Sequence, residues 1–150
     1  MYNNRNVREN PVMLVNSIAR LLEAKMKEVN PEGEALPHSQ RLIVMVVSKN
    51  EGISQLELSQ ITHLKPPTVS LGLKKLEEMG LIKKELSCSD MRVARLYLTD
   101  KGREFESRNI SILKKIDREV LRDITIDEKR KVTDVLMKMR DNILEGDFSR

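Results

Sequence analysis

Basic and hydroxyl side chains cluster between Lys65 and Arg95, and their chemistry suits contact with a polyanion. Seven lysines and arginines in this segment face four acidic residues, a surplus of three positive charges. The whole chain of 150 residues has 27 basic and 23 acidic residues and a net charge of +4, so most of its surplus lies in this segment. Such a local excess attracts phosphate groups, and the attraction weakens with added salt.

Catalytic and metal-binding motifs are not recognisable in the sequence. It has no glycine-rich phosphate loop and no nucleophile elbow. The histidines, His38 and His63, and the single cysteine, Cys88, lie too far apart to predict a metal site. Four aromatic residues are too few for stacking the bases of single-stranded nucleic acid. We therefore predict no catalytic residues, no cofactor and no metal, and we interpret Cys88 as incidental rather than a redox switch.

Length and composition are those of one soluble, folded domain. Charged residues make up 33% of the chain and hydrophobic residues 39%, and 150 residues are enough to bury a core without disulfides. The longest apolar run, Leu42 to Val47, is too short to span a bilayer. One cysteine and a polar N-terminus suit a cytoplasmic protein without membrane contact.

Apolar spacing and capping signals predict six helices and one hairpin. Ser54 with Glu57, and Thr125 with Glu128, form two capping boxes. The short helix after Ser54 is expected to bury Leu56, Leu58 and Ile61. The helices run from about Pro11 to Val29, Pro37 to Lys49, Ser54 to Ile61, Pro66 to Met79, Thr99 to Asp123 and Thr125 to Gly146, and the hairpin covers Leu81 to Leu98.

The middle of this order predicts a DNA-binding unit. A short capped helix, a tight turn and a second helix form a helix-turn-helix, and the hairpin behind them forms a wing. The fold class is therefore mainly α with a small β wing, a winged helix-turn-helix over about residues 36–100. Helices over about 11–29 and 101–146 flank it within a single domain over 1–150 and are expected to mediate dimerisation.

Four motifs in this order resemble those of MarR-type transcriptional regulators, and the flanking helices extend the resemblance over nearly the whole chain. The motifs are Leu58 to Ser70, Leu76 to Ile82, the wing tip Asp90-Met91-Arg92, and Leu98-Thr99-Asp100-Lys101-Gly102. The resemblance implies a symmetric homodimer that binds a pseudo-palindromic operator in double-stranded DNA. It also implies repression or activation of genes, and a repressor that a small inducer releases is the leading hypothesis. The sequence does not indicate which residues would bind that ligand.

The resemblance and the helix pattern together indicate which residues contact DNA. Arg92 is expected to enter the minor groove, with Asp90 holding its guanidinium. Leu71 departs from the arginine or polar residue that many relatives carry, and it can touch a thymine methyl but cannot recognise guanine. The recognition helix contributes Lys65, Pro67, Thr68, Ser70, Leu71, Lys74 and Lys75, and the wing contributes Lys84, Asp90, Arg92 and Arg95.

Amphipathic terminal helices predict the dimer independently, because a small winged core leaves little on which they can bury their apolar stripes. The predicted interface consists of Leu14, Ile18, Leu113, Ile116, Val120, Val132, Val135, Leu136, Met139 and Ile143. A winged-helix protein-interaction module without DNA binding remains the second hypothesis. An enzyme built on a helical dimer is the third, and it would require a pocket with strongly perturbed ionisable groups.

Overall fold

A computed structural model of the chain describes residues 10–29, 36–86 and 93–147. Over these residues it contains the six predicted helices and the hairpin, plus one short strand that we did not predict. The elements are α1 (Pro11–Val29), α2 (His38–Lys49), β1 (Ile53–Ser54), α3 (Gln55–Thr62), α4 (Pro66–Glu78), β2 (Ile82–Leu86), β3 (Ala94–Leu98), α5 (Asp100–Val120) and α6 (Ile126–Glu145).

The three strands form one antiparallel sheet in the order β1-β3-β2. In the hairpin, Ile82 pairs with Leu98 and Leu86 with Ala94. On the other side of β3, Ile53 pairs with Leu96. Strand β1 has two residues, too few to show the alternation by which a strand is recognised in sequence.

The chain divides into two compact units, Met1–Leu113 and Lys114–Arg150. The first unit holds the main hydrophobic core. The apolar centre of α2 is buried as predicted, and α4 contributes the inward stripe predicted for the recognition helix. The core consists of Leu36, Ile43, Val44, Val46, Val47, Ile53, Leu58, Val69, Leu73, Leu76, Leu81, Ile82, Leu96, Leu98 and Phe105.

Both predicted capping boxes are present, but the predicted inward face of α3 is partly wrong. The amide of Ser54 donates to Glu57 Oε2 over 2.8 Å, and the amide of Glu57 donates back to Ser54 Oγ over 3.2 Å. Leu58 is buried as expected, whereas Leu56 and Ile61 are exposed. Leu58 and Thr62 share the inward face because they are four residues apart, and they leave the other two outside it.

Glu106 on α5 is a carboxyl group buried within the first unit. Burial raises the pKa of Glu106 above its usual range, although a hydrogen bond of 3.4 Å from Asn109 and the charge of Lys49 act in the opposite sense. The folded protein therefore binds this proton more tightly than the unfolded chain does. The resulting stability is present below the usual carboxyl pKa and is lost as the pH rises through the raised value.

We predict that Glu106→Gln stabilises the protein at pH 8, because the amide can still accept from Asn109 and has no charge to desolvate. Thermal unfolding should give a higher Tm for the variant at pH 8 and a smaller difference towards pH 4. The exposed neighbour Glu104, changed to Gln, serves as the control and should leave Tm unchanged. A Glu106→Gln variant less stable than the wild type at pH 8 would contradict this account.

The second unit contains the end of α5 and all of α6. The predicted capping box starts α6, with the Thr125 amide donating to Glu128 Oε2 over 2.9 Å. No residue of α6 is buried, and its large apolar side chains are mostly exposed. An amphipathic helix normally covers its apolar stripe with another element.

Candidate nucleic-acid interface

Helix α4 presents one apolar face to the core and one mixed face to solvent. Pro66 occupies the first helical position, where a missing N–H is harmless, and Lys65 is the N-cap. Val69, Leu73 and Leu76 are buried along one stripe with Gly72. The residues between them therefore point outward, as a recognition helix requires.

Side-chain hydrogen bonds hold the turn between α3 and α4. Ser59 Oγ donates to the carbonyl of Leu64 over 2.7 Å, and the amide of Leu64 donates to Thr62 Oγ1 over 3.4 Å. His63 closes α3 in the left-handed conformation, at φ 54°. These contacts orient α4 relative to α3.

Every residue that we predicted on the recognition helix is exposed. Among the described residues, none forms an ion pair with the ammonium groups of Lys65, Lys74 or Lys75. Their charges are therefore available to an external anion. The exposed set is Lys65, Pro67, Thr68, Ser70, Leu71, Lys74 and Lys75.

Two of the predicted wing bases contact acidic residues of the helix-turn-helix. Lys84 Nζ lies 2.6 Å from Glu77 Oε2 and joins β2 to α4. Arg95 Nη1 donates to the carbonyl of Gly52 over 3.2 Å and to Glu57 Oε2 over 3.3 Å, joining β3 to the start of α3. Both side chains thus attach the wing strands to the two helices, and DNA contact by either stays a prediction.

Glu57 and Glu77 were not among the predicted site residues. Glu57 caps α3, and hydrogen bonds from the Ser54 hydroxyl and amide lower the pKa of Glu57, with a further contribution from Arg95. Its capping role was visible in the sequence, but its contact with β3 requires the strand pairing. Glu77 has no local sequence signal that predicts its contact with Lys84.

The wing tip lies outside the described residues. This applies to the predicted contacts Asp90 and Arg92 and to Cys88. Their roles stay as the sequence predicts them. Strand β2 ends just before this tip, and strand β3 begins just after it.

An open groove of about 450 Å³ lies beside β1 and α3. Its charged lining residues Glu51, Glu57 and Arg95 all form ion pairs, Glu51 with Arg103 and the other two with each other.

Across residues 10–29, 36–86 and 93–147, we find no group of three His, Cys, Asp or Glu side chains that could hold a metal ion. In the same ranges, no helix has the length and apolar character needed to cross a membrane.

Most residues of the predicted dimer interface are exposed in the chain. Ile116 is buried, and Leu113 and Met139 are half-buried. The seven exposed residues are Leu14, Ile18, Val120, Val132, Val135, Leu136 and Ile143.

A comparison with known protein families supports the winged helix-turn-helix. Residues 37–83 match the family model for winged helix-turn-helix DNA-binding domains. This match covers α2, β1, α3, α4 and the start of β2. It coincides with the N-terminal part of the winged segment predicted from the sequence.

Three solved structures superimpose on most of the chain. A MarR protein from Peptoclostridium difficile is 24% identical, with a TM-score of 0.79 over 90% of this chain and 88% of that one. PcaV from Streptomyces coelicolor, solved with its natural ligand, is 18% identical, with a TM-score of 0.79 over 90% and 94%. BpsR from Bordetella bronchiseptica is 18% identical, with a TM-score of 0.78 over 94% of this chain and 98% of that one. The DNA binding of BpsR is regulated by 6-hydroxynicotinic acid.

These likenesses confirm the fold predicted from the ordered motifs. Each extends beyond the winged segment to the flanking helices, because about nine-tenths of both chains are covered. The chain has the winged helix-turn-helix fold of the MarR-type transcriptional regulators.

Proposed function

We propose that this protein is a sequence-specific, DNA-binding transcriptional regulator and acts as a homodimer on a pseudo-palindromic operator. The observation that carries the proposal is the outward face of α4, where exposed lysines without an ion-pair partner among the described residues flank exposed hydroxyls. Lysine ammonium groups bind phosphates, and hydroxyls bind phosphates or base edges. Residues 36–100 form the DNA-binding part, with Arg92 entering the minor groove from the wing tip.

A dimer supports this function because it places two recognition helices about 34 Å apart, one turn of DNA. Helix α1 in the first unit and helix α6 in the second each carry exposed apolar residues that a second copy would cover. Their number exceeds the scattered single residues that a monomeric surface carries. We assign α1, α5 and α6 to dimerisation.

A small molecule is the proposed signal, and its binding would release the operator. PcaV was solved with a natural ligand, and 6-hydroxynicotinic acid regulates the DNA binding of BpsR. The same fold in this chain supports a ligand-responsive repressor. No residue is assigned to the ligand.

The first experiment is a fluorescence-anisotropy titration of the purified protein with double-stranded DNA. The probes are the duplex just upstream of its own coding sequence and a scrambled duplex, each at two salt concentrations. Tighter, salt-sensitive binding to the native duplex is expected. If the native duplex binds no better, selection from random duplexes follows, and failure to enrich any sequence would overturn the proposal in favour of a protein-interaction module.

Lys74→Ala is expected to weaken binding about tenfold on specific and scrambled duplexes alike, because a phosphate contact carries no sequence information. The plot of log K against log salt should become shallower by about two, since the dimeric variant neutralises two phosphates fewer, one in each protomer. Lys138→Ala, which removes the same charge from α6, is the control and should keep the wild-type slope. Equal slopes for all three proteins would show that Lys74 does not contact phosphate.

A further inference from the structure

The centre of the outward face of α4 is apolar in its first two turns. Leu71 is 58% exposed, and Pro67, one turn earlier on the same face, is also exposed. Val69, Gly72 and Leu73 point the other way, into the core. Pro67 and Leu71 are four residues apart and therefore lie one above the other.

Packing among the described residues does not explain Leu71. The leucines of α4 that serve the core, Leu73 and Leu76, are fully buried. Single exposed leucines are common on protein surfaces. Leu71, however, lies within the first two turns of the recognition helix, and this is the part that meets base edges in a helix-turn-helix.

Only one feature of the major groove matches an apolar side chain. Guanine, cytosine and adenine present hydrogen-bonding groups there, whereas thymine also presents its C5 methyl group. Neither Leu71 nor Pro67 has a side-chain donor or acceptor. A hydrogen-bonding base edge opposite them would lose its water without gaining a partner, which disfavours such a base.

We propose that Leu71, with Pro67 beside it, determines specificity by packing on a thymine methyl group in each half-site of the operator. This inference rests on the proposed function and adds the base that the helix selects. Lys65 before the helix and Lys74 one turn after Leu71 are placed to bind the phosphates that flank this contact. Thr68 and Ser70 provide hydroxyl groups on either side of the apolar pair.

Replacing thymine with uracil tests the proposal, because it removes the methyl group and leaves base pairing unchanged. Operators are first selected from random duplexes with the wild-type protein. Each thymine of the selected duplex is then replaced in turn by deoxyuridine, and binding is measured by anisotropy. One symmetric pair of replacements should weaken wild-type binding about fourfold per half-site, the effect of exposing one buried methyl group.

The leucine variant makes this a double-mutant test. Leu71→Ala should lose most of the preference for thymine over uracil, since only the Pro67 ring then remains beside the methyl group. Glu78→Ala, an exposed change on the same helix outside the proposed contacts, is the matched control and should keep the wild-type preference for thymine. Both side chains are exposed, so circular dichroism should show the wild-type helix content in each variant.

The possible failures are distinguishable. Wild-type protein that binds its operator equally well with uracil at every position overturns the thymine contact while DNA binding stands. A uracil effect of undiminished size in Leu71→Ala assigns the methyl contact to another residue and also overturns the proposal. Failure to select any duplex overturns the proposed function and this inference with it.

Discussion

Gly102→Ala is expected to destabilise the protein by at least about 3 kcal/mol and to abolish DNA binding at physiological temperature. Gly102 is buried in the first turn of α5, and a Cβ there would overlap the carbonyl oxygen of Leu81. That oxygen cannot move away easily, because it accepts a hydrogen bond of 3.1 Å from the Thr99 amide. The substitution would therefore push α5 away from the residues that follow α4.

Gly80→Ala is the matched control for this prediction. Gly80 has φ +71°, so alanine there carries backbone strain, but a Cβ would meet no atom of the described residues within 4 Å. Its cost should be about 1–2 kcal/mol, that of one left-handed alanine. Urea unfolding at one fixed protein concentration measures both. Equal stability of the two variants would show that the close approach at Gly102 does not limit the structure.

The close approach of Gly102 to Leu81 gives a structural reason for the motif Leu98 to Gly102, whose purpose is not visible in the sequence alone. In the segment Leu98 to Gly102, the Thr99 hydroxyl donates to the carbonyl of Gly80 over 2.6 Å and accepts from the Gly102 amide over 3.0 Å. Threonine thus caps α5 and ties it to the turn after α4, and glycine permits the close approach. The resemblance singled out the motif that contains both residues, but their shared partner segment is visible only in three dimensions.

Local signals predicted the helices well, because periodicity, prolines and capping boxes act within a few residues. They failed where a contact joins distant segments. Strand β1 exists through its pairing with β3, and Leu56 is exposed because Leu58 and Thr62 define the inward face of α3. Likewise, Lys84 and Arg95 were predicted from charge alone, and their acidic partners Glu77 and Glu57 become visible only when the sheet packs on the helices.

Val135→Asp is expected to convert the protein to a monomer at micromolar concentration and to weaken operator binding at least about a hundredfold. Val135 belongs to the apolar stripe of α6 and is 54% exposed, so a carboxylate there disturbs little packing among the described residues. In the proposed dimer the carboxylate would be buried without a partner, once in each copy. Sedimentation velocity gives the mass directly, and anisotropy gives the loss of operator affinity.

Arg130→Gln changes the net charge by the same amount on the opposite face of α6 and should leave the dimer intact. The comparison separates a buried interface from a general effect of charge on association. A Val135→Asp protein that sediments as a dimer at the same concentration as the wild type would remove α6 from the interface. A monomer that still binds the operator with full affinity would instead show that dimerisation does not position the two recognition helices. The pseudo-palindromic operator would then lose its physical reason, because two half-sites one turn apart are recognised only when one rigid assembly presents both helices.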